Sequence, residues 1–193
     1  IRENNFLGKG IRLDTNIELT PDSVKGKFIY SKPNFNYSDN TLFTSIKSSS
    51  SDFMTDSGYK TSEIGFSLGT RFEQFQNIFL RPEVDFLIED LETSSKASST
   101  LKKQEGSYTD LYFNYSINQD LRDKKFRTED GFVTTFSQEL PIISDNSELS
   151  NSFDITTFKK LSSRSDIVGK LSFFGKTITG LSDDVRISKR LYI

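Results

Sequence analysis

The stretch from Ser107 to Gly131, SYTDLYFNYSINQDLRDKKFRTEDG, constrains the fold more than any other part of the chain. Leu111, Phe113, Tyr115 and Ile117 fall on one face of an extended strand. Tyr108, Asp110, Tyr112, Asn114 and Ser116 fall on the other. Side chains of a strand alternate between its two faces, so this spacing separates an apolar face from a polar one. The chain then enters a charged turn, Asp120-Leu-Arg-Asp123, and resumes extended structure after Gly131. A chain built from such strands suits a membrane barrel better than a water-soluble core.

The same pattern recurs along the chain and predicts about nine strands. Between Lys9 and Leu19, Ile11, Leu13, Ile17 and Leu19 oppose Arg12, Asp14, Asn16 and Glu18. Thr20-Pro-Asp22 is a turn, with Pro preset for its second position. From Ser23 to Ser31, Val24, Phe28 and Tyr30 oppose Lys25 and Lys27, and Pro33 ends the ladder because it donates no backbone hydrogen bond. Thr41–Ser48 is a weaker strand carrying Leu42 and Ile46 on one side. Ile64, Phe66, Leu68, Thr70 and Phe72 then alternate with Glu63, Gly65, Ser67, Gly69 and Arg71, and Ile78, Leu80, Val84, Phe86 and Ile88 with Arg81, Glu83 and Asp85. Phe132–Leu140, Ser152–Leu161 and Asp166–Thr179 complete the set. Ser48–Gly58 and Thr93–Gly106 read as long polar connections, and Asn34–Asn40, Glu73–Asn77 and Ser162–Ser165 as short ones. That asymmetry is expected of an outer-membrane barrel.

Only 34% of the 193 residues are hydrophobic, yet Phe alone occurs 18 times, which excludes a disordered polar tract. Low mean hydropathy combined with aromatics in alternating segments is what a barrel with a polar lumen requires. No apolar run approaches the roughly 20 residues of a membrane helix, but barrel strands need only about 9–11. The net charge of -2 and the lack of a basic run make nucleic acid an unsuitable partner. The chain has no Cys and no His, which removes most nucleophile–base pairs and zinc sites, and no cofactor or metal is expected. The pair Asp183-Asp184 could suggest a metal or acid–base site, but a solvated loop is the favoured reading.

The polar faces decide between lipid and water. Arg81, Glu83 and Asp85 occupy successive positions of one face, as do Arg12 and Asp14, and Lys25 and Lys27. A watery lumen solvates such charges, and opposite ones can pair across strands. The other face is almost wholly apolar or Thr. Lipid would select for this purity, since a charge at mid-bilayer costs about 2–4 kcal/mol. A soluble all-β binding module alternates too and is the competing reading of pattern alone.

Short motifs add a family resemblance. Glu3-Asn-Asn-Phe-Leu-Gly-Lys-Gly10 resembles the Asn-x-Leu-Gly-x-Gly turn of the BamA family of outer-membrane protein assembly factors, with Leu7, Gly8 and Gly10 at the matching positions. Tyr30-Ser-Lys-Pro-Asn-Phe35 is similar to the family's Asp-Pro-Tyr-Phe turn, carrying Pro33 and Phe35, with Lys32 in place of Asp. Gln119-Asp-Leu-Arg-Asp123, followed by Thr128 and Gly131, resembles its Asp-x-Arg-Asp…Pro-Thr-x-Gly strand–turn–strand. Arg127 stands where that pattern has Pro, and one extra residue separates Thr128 from Gly131. The ending Ile187–Ile193 resembles the lead-in to the family's sixth extracellular loop.

The resemblance implies an all-β, antiparallel transmembrane β-barrel. Residues 1–193 would be a partial barrel covering about strands 3 to 11 of about 16. The periplasmic domains, the closing strands and the loop's Val-Arg-Gly-Phe motif would lie outside it. It implies a bacterial outer-membrane location and a part in folding and inserting other barrel proteins. The partners implied are outer-membrane lipids, unfolded β-barrel clients and accessory assembly lipoproteins, the last met through the periplasmic domains. No bond is made or broken, so no catalytic residue is expected. A secretion pore or porin-like transport barrel is the alternative. The residues Leu7, Gly8, Gly10, Pro33, Phe35, Asp120, Arg122, Asp123, Thr128 and Gly131 are expected to shape turns, with Asp120 or Asp123 hydrogen-bonded to Arg122 or to backbone amides. The turn from Asp120 to Gly131 is expected on the periplasmic side, opposite Thr93–Gly106.

Overall fold

A computed structural model describes residues 1–162, 166–182 and 184–191. Ten strands follow one another in chain order: β1 Arg2–Phe6, β2 Ile11–Leu19, β3 Ser23–Lys32, β4 Thr41–Phe53, β5 Tyr59–Phe75, β6 Ile78–Thr93, β7 Gly106–Asp120, β8 Asp130–Ile143, β9 Glu148–Lys160 and β10 Val168–Gly180. Each pairs antiparallel with the next, giving a single ten-stranded meander. No pairing joins β1 to β10 among the described residues, so the sheet is open, as expected.

The tenth strand is β1. Its sequence, RENNF, carries no apolar alternation, and pairing of Arg2 with Asp14 and Glu3 with Leu13 holds it in place. Another departure lies at the serine run. Ser48–Ser51 belongs to β4, paired with Val24 and Lys25 on one side and Glu63 and Ser62 on the other. Ser48–Gly58 is therefore mostly strand, and only residues 54–58 connect. Glu73–Asn77 is likewise mostly β5, leaving a turn of Gln76 and Asn77. The longest connections, 94–105 and 121–129, sit at opposite ends of the sheet, so connection length does not separate the two ends. Ser163, Arg164 and Ser165 of the β9–β10 connection, and Asp183, lie outside the described residues.

The faces follow the alternation. Cross-strand partners share a face, which links Leu13, Tyr30, Thr44, Leu68, Val84, Phe113 and Leu140 in one outward row. Ile117, Phe136 and Phe153 form another, continued by Gly175, so Leu171 and Phe173 face the same way. These outward side chains are exposed: Ile64 by 60%, Phe66 by 49%, Leu171 by 71%. Along β6 the apolar positions run from Ile78 to Ile88 and then give way to Asp90 and Glu92. That length matches the roughly 9–11 residues a strand needs to cross a bilayer. Beyond it, β5 and β6 continue past the apolar band.

The inward face buries Ser45, Ser67, Leu87, Glu89, Leu91, Asp110 and Tyr112. Arg71, Arg81, Glu83, Asp85, Asn114 and Lys170 lie on it too. One outward row breaks the apolar band. Tyr115, Gln138 and Asn151 are cross-strand neighbours there. They satisfy one another, the Tyr115 hydroxyl donating to Gln138 Oε1 at 2.9 Å and Gln138 Nε2 donating to Asn151 Oδ1. Polar atoms bonded within the row need no water.

Candidate functional site

The turn residues named from the motifs are local devices. Leu7, Gly8 and Gly10 all have positive φ, and the Asn5 side chain closes their turn by accepting from the Gly10 N–H at 2.7 Å. Pro33 follows the last residue of β3, and Phe35 opens a single 3₁₀ turn. Asp120 and Arg122 form a two-pronged pair, Arg122 Nε to Oδ1 and Nη2 to Oδ2, both at 2.8 Å. That pair holds the Asp120 carboxyl below its ordinary range and the guanidinium above its own.

Asp123 Oδ1 accepts from the N–H groups of Glu129 and Asp130 at 3.0 and 3.2 Å. Thr128 donates to the Lys124 carbonyl at 2.6 Å. Gly131 has φ +98°, and a Cβ there would stand 2.1 Å from the Leu121 carbonyl oxygen. Only glycine passes this point without moving backbone. Arg127 has φ 54°, which a proline ring forbids, so the departure from the family's Pro is matched by a different backbone path.

None of these residues converges on a common centre. The inner wall carries the convergent chemistry, toward the end of the sheet that bears the 94–105 connection. After β10 the chain turns back against that wall, and Arg186 becomes fully buried on it. Its guanidinium donates from Nε to Glu148 Oε1 and from Nη1 to Glu89 Oε2, both at 3.2 Å, and from Nη2 to Asp110 Oδ2. Nη2 also reaches the Tyr112 hydroxyl at 3.3 Å, and the guanidinium lies 4.5 Å from the Tyr108 ring centre. Tyr112 donates to Glu148 Oε2 at 3.1 Å, and Ser144 to Asp110 Oδ1 at 2.6 Å.

One arginine thus ties β6, β7, β9 and the segment after β10. Neighbouring contacts extend the tie. Lys189 Nζ meets Glu63 at 3.2 Å, the Ile187 N–H donates to Gln104 Oε1 at 2.9 Å, and Asn146 Nδ2 donates to the Asp184 carbonyl at 3.0 Å. Lys47 bridges Glu63 and Asp85 at 3.3 and 3.1 Å. A buried charge is costly unless paired and hydrogen-bonded, and Arg186 meets both conditions. The arrangement fixes a chain segment against the inner face. Asp110 is named by the strand pattern as lumen-facing, but nothing in the alternation singles out Arg186, Glu89 or Glu148. Glu89 alone continues a charged face read from the alternation; Arg186 lies in no strand, and Glu148 precedes the strand expected from Ser152.

This fold is shared with a solved structure titled as the crystal structure of BamA from Haemophilus ducreyi lacking POTRA domains 1-3. The TM-score is 0.72 at 18% identity, over 91% of this chain and 37% of that one. The chain therefore spans little more than a third of that structure. No curated protein matches it. The Omp85 superfamily domain matches residues 5–193, nearly the whole length, and the chain belongs to the Omp85 superfamily.

Proposed function

We propose that this chain is the wall of an outer-membrane insertase, part of a barrel that folds and inserts other β-barrel proteins. The observation that carries this over an open pore is the buried Arg186 tie. It pins the segment after β10 against the inner face, the face an open pore would leave clear. Work done at such a barrel then goes through its strands. An unpaired strand edge offers backbone donors and acceptors that an incoming strand can satisfy. No residue needs to act as a catalyst, and no cofactor enters.

On this reading the 94–105 connection lies outside the cell and the 121–129 turn in the periplasm. Outer-membrane lipids cover the band from Ile78 to Ile88. Unfolded barrel chains are the clients, and accessory lipoproteins are met through domains beyond this segment.

The test is reconstitution of the full-length protein in liposomes with an unfolded outer-membrane barrel as client. Client folding, followed by heat-modifiable mobility and protease protection, is expected to accelerate several-fold over empty liposomes. Equal rates, with ion conductance through the vesicles instead, would favour a transport barrel.

A further inference from the structure

A second charged region lies on the inner wall toward the end that bears the 121–129 turn. Arg2, Arg12, Arg71 and Arg81 line a cavity of about 360 Å³ together with a single carboxylate, Asp14. Counting also Glu83, the ion-pair partner of Arg81, four cations stand against two anions and leave two positive charges in excess. Asp14 is held by Arg2, with Nε donating at 2.7 Å, and Glu83 meets Arg81 only at 3.5 Å. Arg12 and Arg71 make no ion pair among the described residues. Arg81 Nε is buried and has no acceptor among them.

The arrangement is built rather than incidental. Pairing of Gly69 with Glu83 and of Phe72 with Leu80 brackets Arg71 and Arg81 directly opposite each other. Like charges in that position repel. Each is instead parked on a ring: Arg71 lies 4.2 Å from the Phe79 centre and Arg81 4.0 Å from the Phe43 centre. Gly69 makes room for the Phe43 ring, because a Cβ there would stand 2.4 Å from it. Stacking holds a guanidinium plane while leaving its in-plane N–H donors free for carboxylates.

We propose that this cavity is a receptor for an extended acidic peptide, whose Asp and Glu carboxylates pair with the free edges of Arg12, Arg71 and Arg81. The donors sit on β2, β5 and β6, and β2 and β5 are three strand spacings apart, about 14 Å along the sheet. Carboxylates spaced along a chain can meet donors spread over that distance together. Phe43 and Ile29, which also line the cavity, suit the apolar stems of such side chains. The proposal holds whether the barrel inserts proteins or exports them.

The test uses full-length protein in detergent micelles and fluorescence anisotropy of a fluorescein-labelled ten-residue glutamate peptide, with the ten-residue glutamine peptide beside it. Glutamate peptide should bind, more weakly as salt rises, and the glutamine peptide should not. Arg71→Gln with Arg81→Gln should weaken binding about tenfold or more, a loss of about 1.4 kcal/mol or more. Lys25→Gln with Lys27→Gln, elsewhere on the same wall, should leave it unchanged. Heat-modifiable mobility verifies that each variant is folded. If the glutamine pair fails to fold, Arg71→Lys with Arg81→Lys keeps the charge, loses the fork and should still weaken binding. Unchanged affinity in the folded Arg71/Arg81 variant would overturn the proposal. So would full displacement by inorganic phosphate at equal charge, or tighter binding of an oligonucleotide than of the peptide.

Discussion

The two arginine sites of the inner wall use the same side chain in opposite ways. At one end, Arg186 is surrounded by Glu89, Asp110 and Glu148, fully buried, with its donors engaged. At the other, four arginines line a cavity whose one carboxylate, Asp14, is taken by Arg2, and two of them lie on phenylalanine rings. Arg81 and Glu89 are eight positions apart on β6, so about 26 Å of one strand separates the two regimes. Charge on the inner wall is therefore not uniformly left to solvent. Where carboxylates outnumber the cation, the chain is tied to itself. Where cations outnumber carboxylates, donors are left for something else.

Breaking the tie gives the largest expected effect. Arg186→Met leaves three carboxylates buried together, which costs about 3–5 kcal/mol. The full-length protein should lose heat-modifiable mobility or unfold at markedly lower urea. Neutralising the partners in the same chain, with Glu89→Gln, Asp110→Asn and Glu148→Gln, should restore much of that loss. No recovery would show that the guanidinium matters for more than charge.

Next comes Gly131→Val, which asks whether a local turn matters as much as a long-range tie. Its Cβ would collide with the Leu121 carbonyl, and φ +98° is strained for valine. Assembly should slow or stop, seen as unfolded monomer on semi-native gels and a lower level in outer-membrane fractions. Wild-type folding would show the turn to be incidental.

A smaller effect separates the turn from the wall by pH. Hydrogen bonds from Lys160 and then Lys124 hold Glu129 below its ordinary 4.5. Burial works against Asp123, but the N–H groups of Asp130, Glu129 and Lys124 prevail and hold it below its ordinary 3.8. A carboxyl lowered by folding stabilises the folded turn above the ordinary value. That contribution is lost as pH falls through the lowered one. Protection of the amides of residues 121–130, measured against their intrinsic exchange rates, should therefore fall below about pH 4 and stay constant between pH 6 and 8.

The smallest effect sharpens the comparison from its other side. Arg71→Gln with Arg81→Gln removes a repelling pair and breaks no strong ion pair. Urea stability should move by no more than about 0.5 kcal/mol. A large loss would mean that the basic patch, like Arg186, is holding the wall together.

What could be read from the sequence follows from the range of the forces involved. β5 and β6 were legible because Ile64–Phe72 and Ile78–Ile88 put unlike side chains on the two faces, and the period carries the register with it. The Asp120–Arg122 pair was legible because its partners are two residues apart. β1 was not, since RENNF is held by the ladder with β2 and not by its own pattern. The Ser48–Ser51 run failed for the same reason: serine favours loops in isolation, and flanking strands on both sides override it. Arg186 meets Glu89 from 97 residues away, and no local window contains both.

Both arginine sites depend on the odd-numbered side chains of β6 pointing inward. Single cysteines at Glu83, Val84, Asp85, Phe86 and Ile88, placed in full-length protein lacking other reactive thiols, can carry an environment-sensitive fluorophore in vesicles of brominated lipid. Strong bromine quenching is expected at Val84→Cys, Phe86→Cys and Ile88→Cys, and little at Glu83→Cys and Asp85→Cys. Quenching at Glu83 and Asp85 instead would place the charged face against lipid and contradict that orientation.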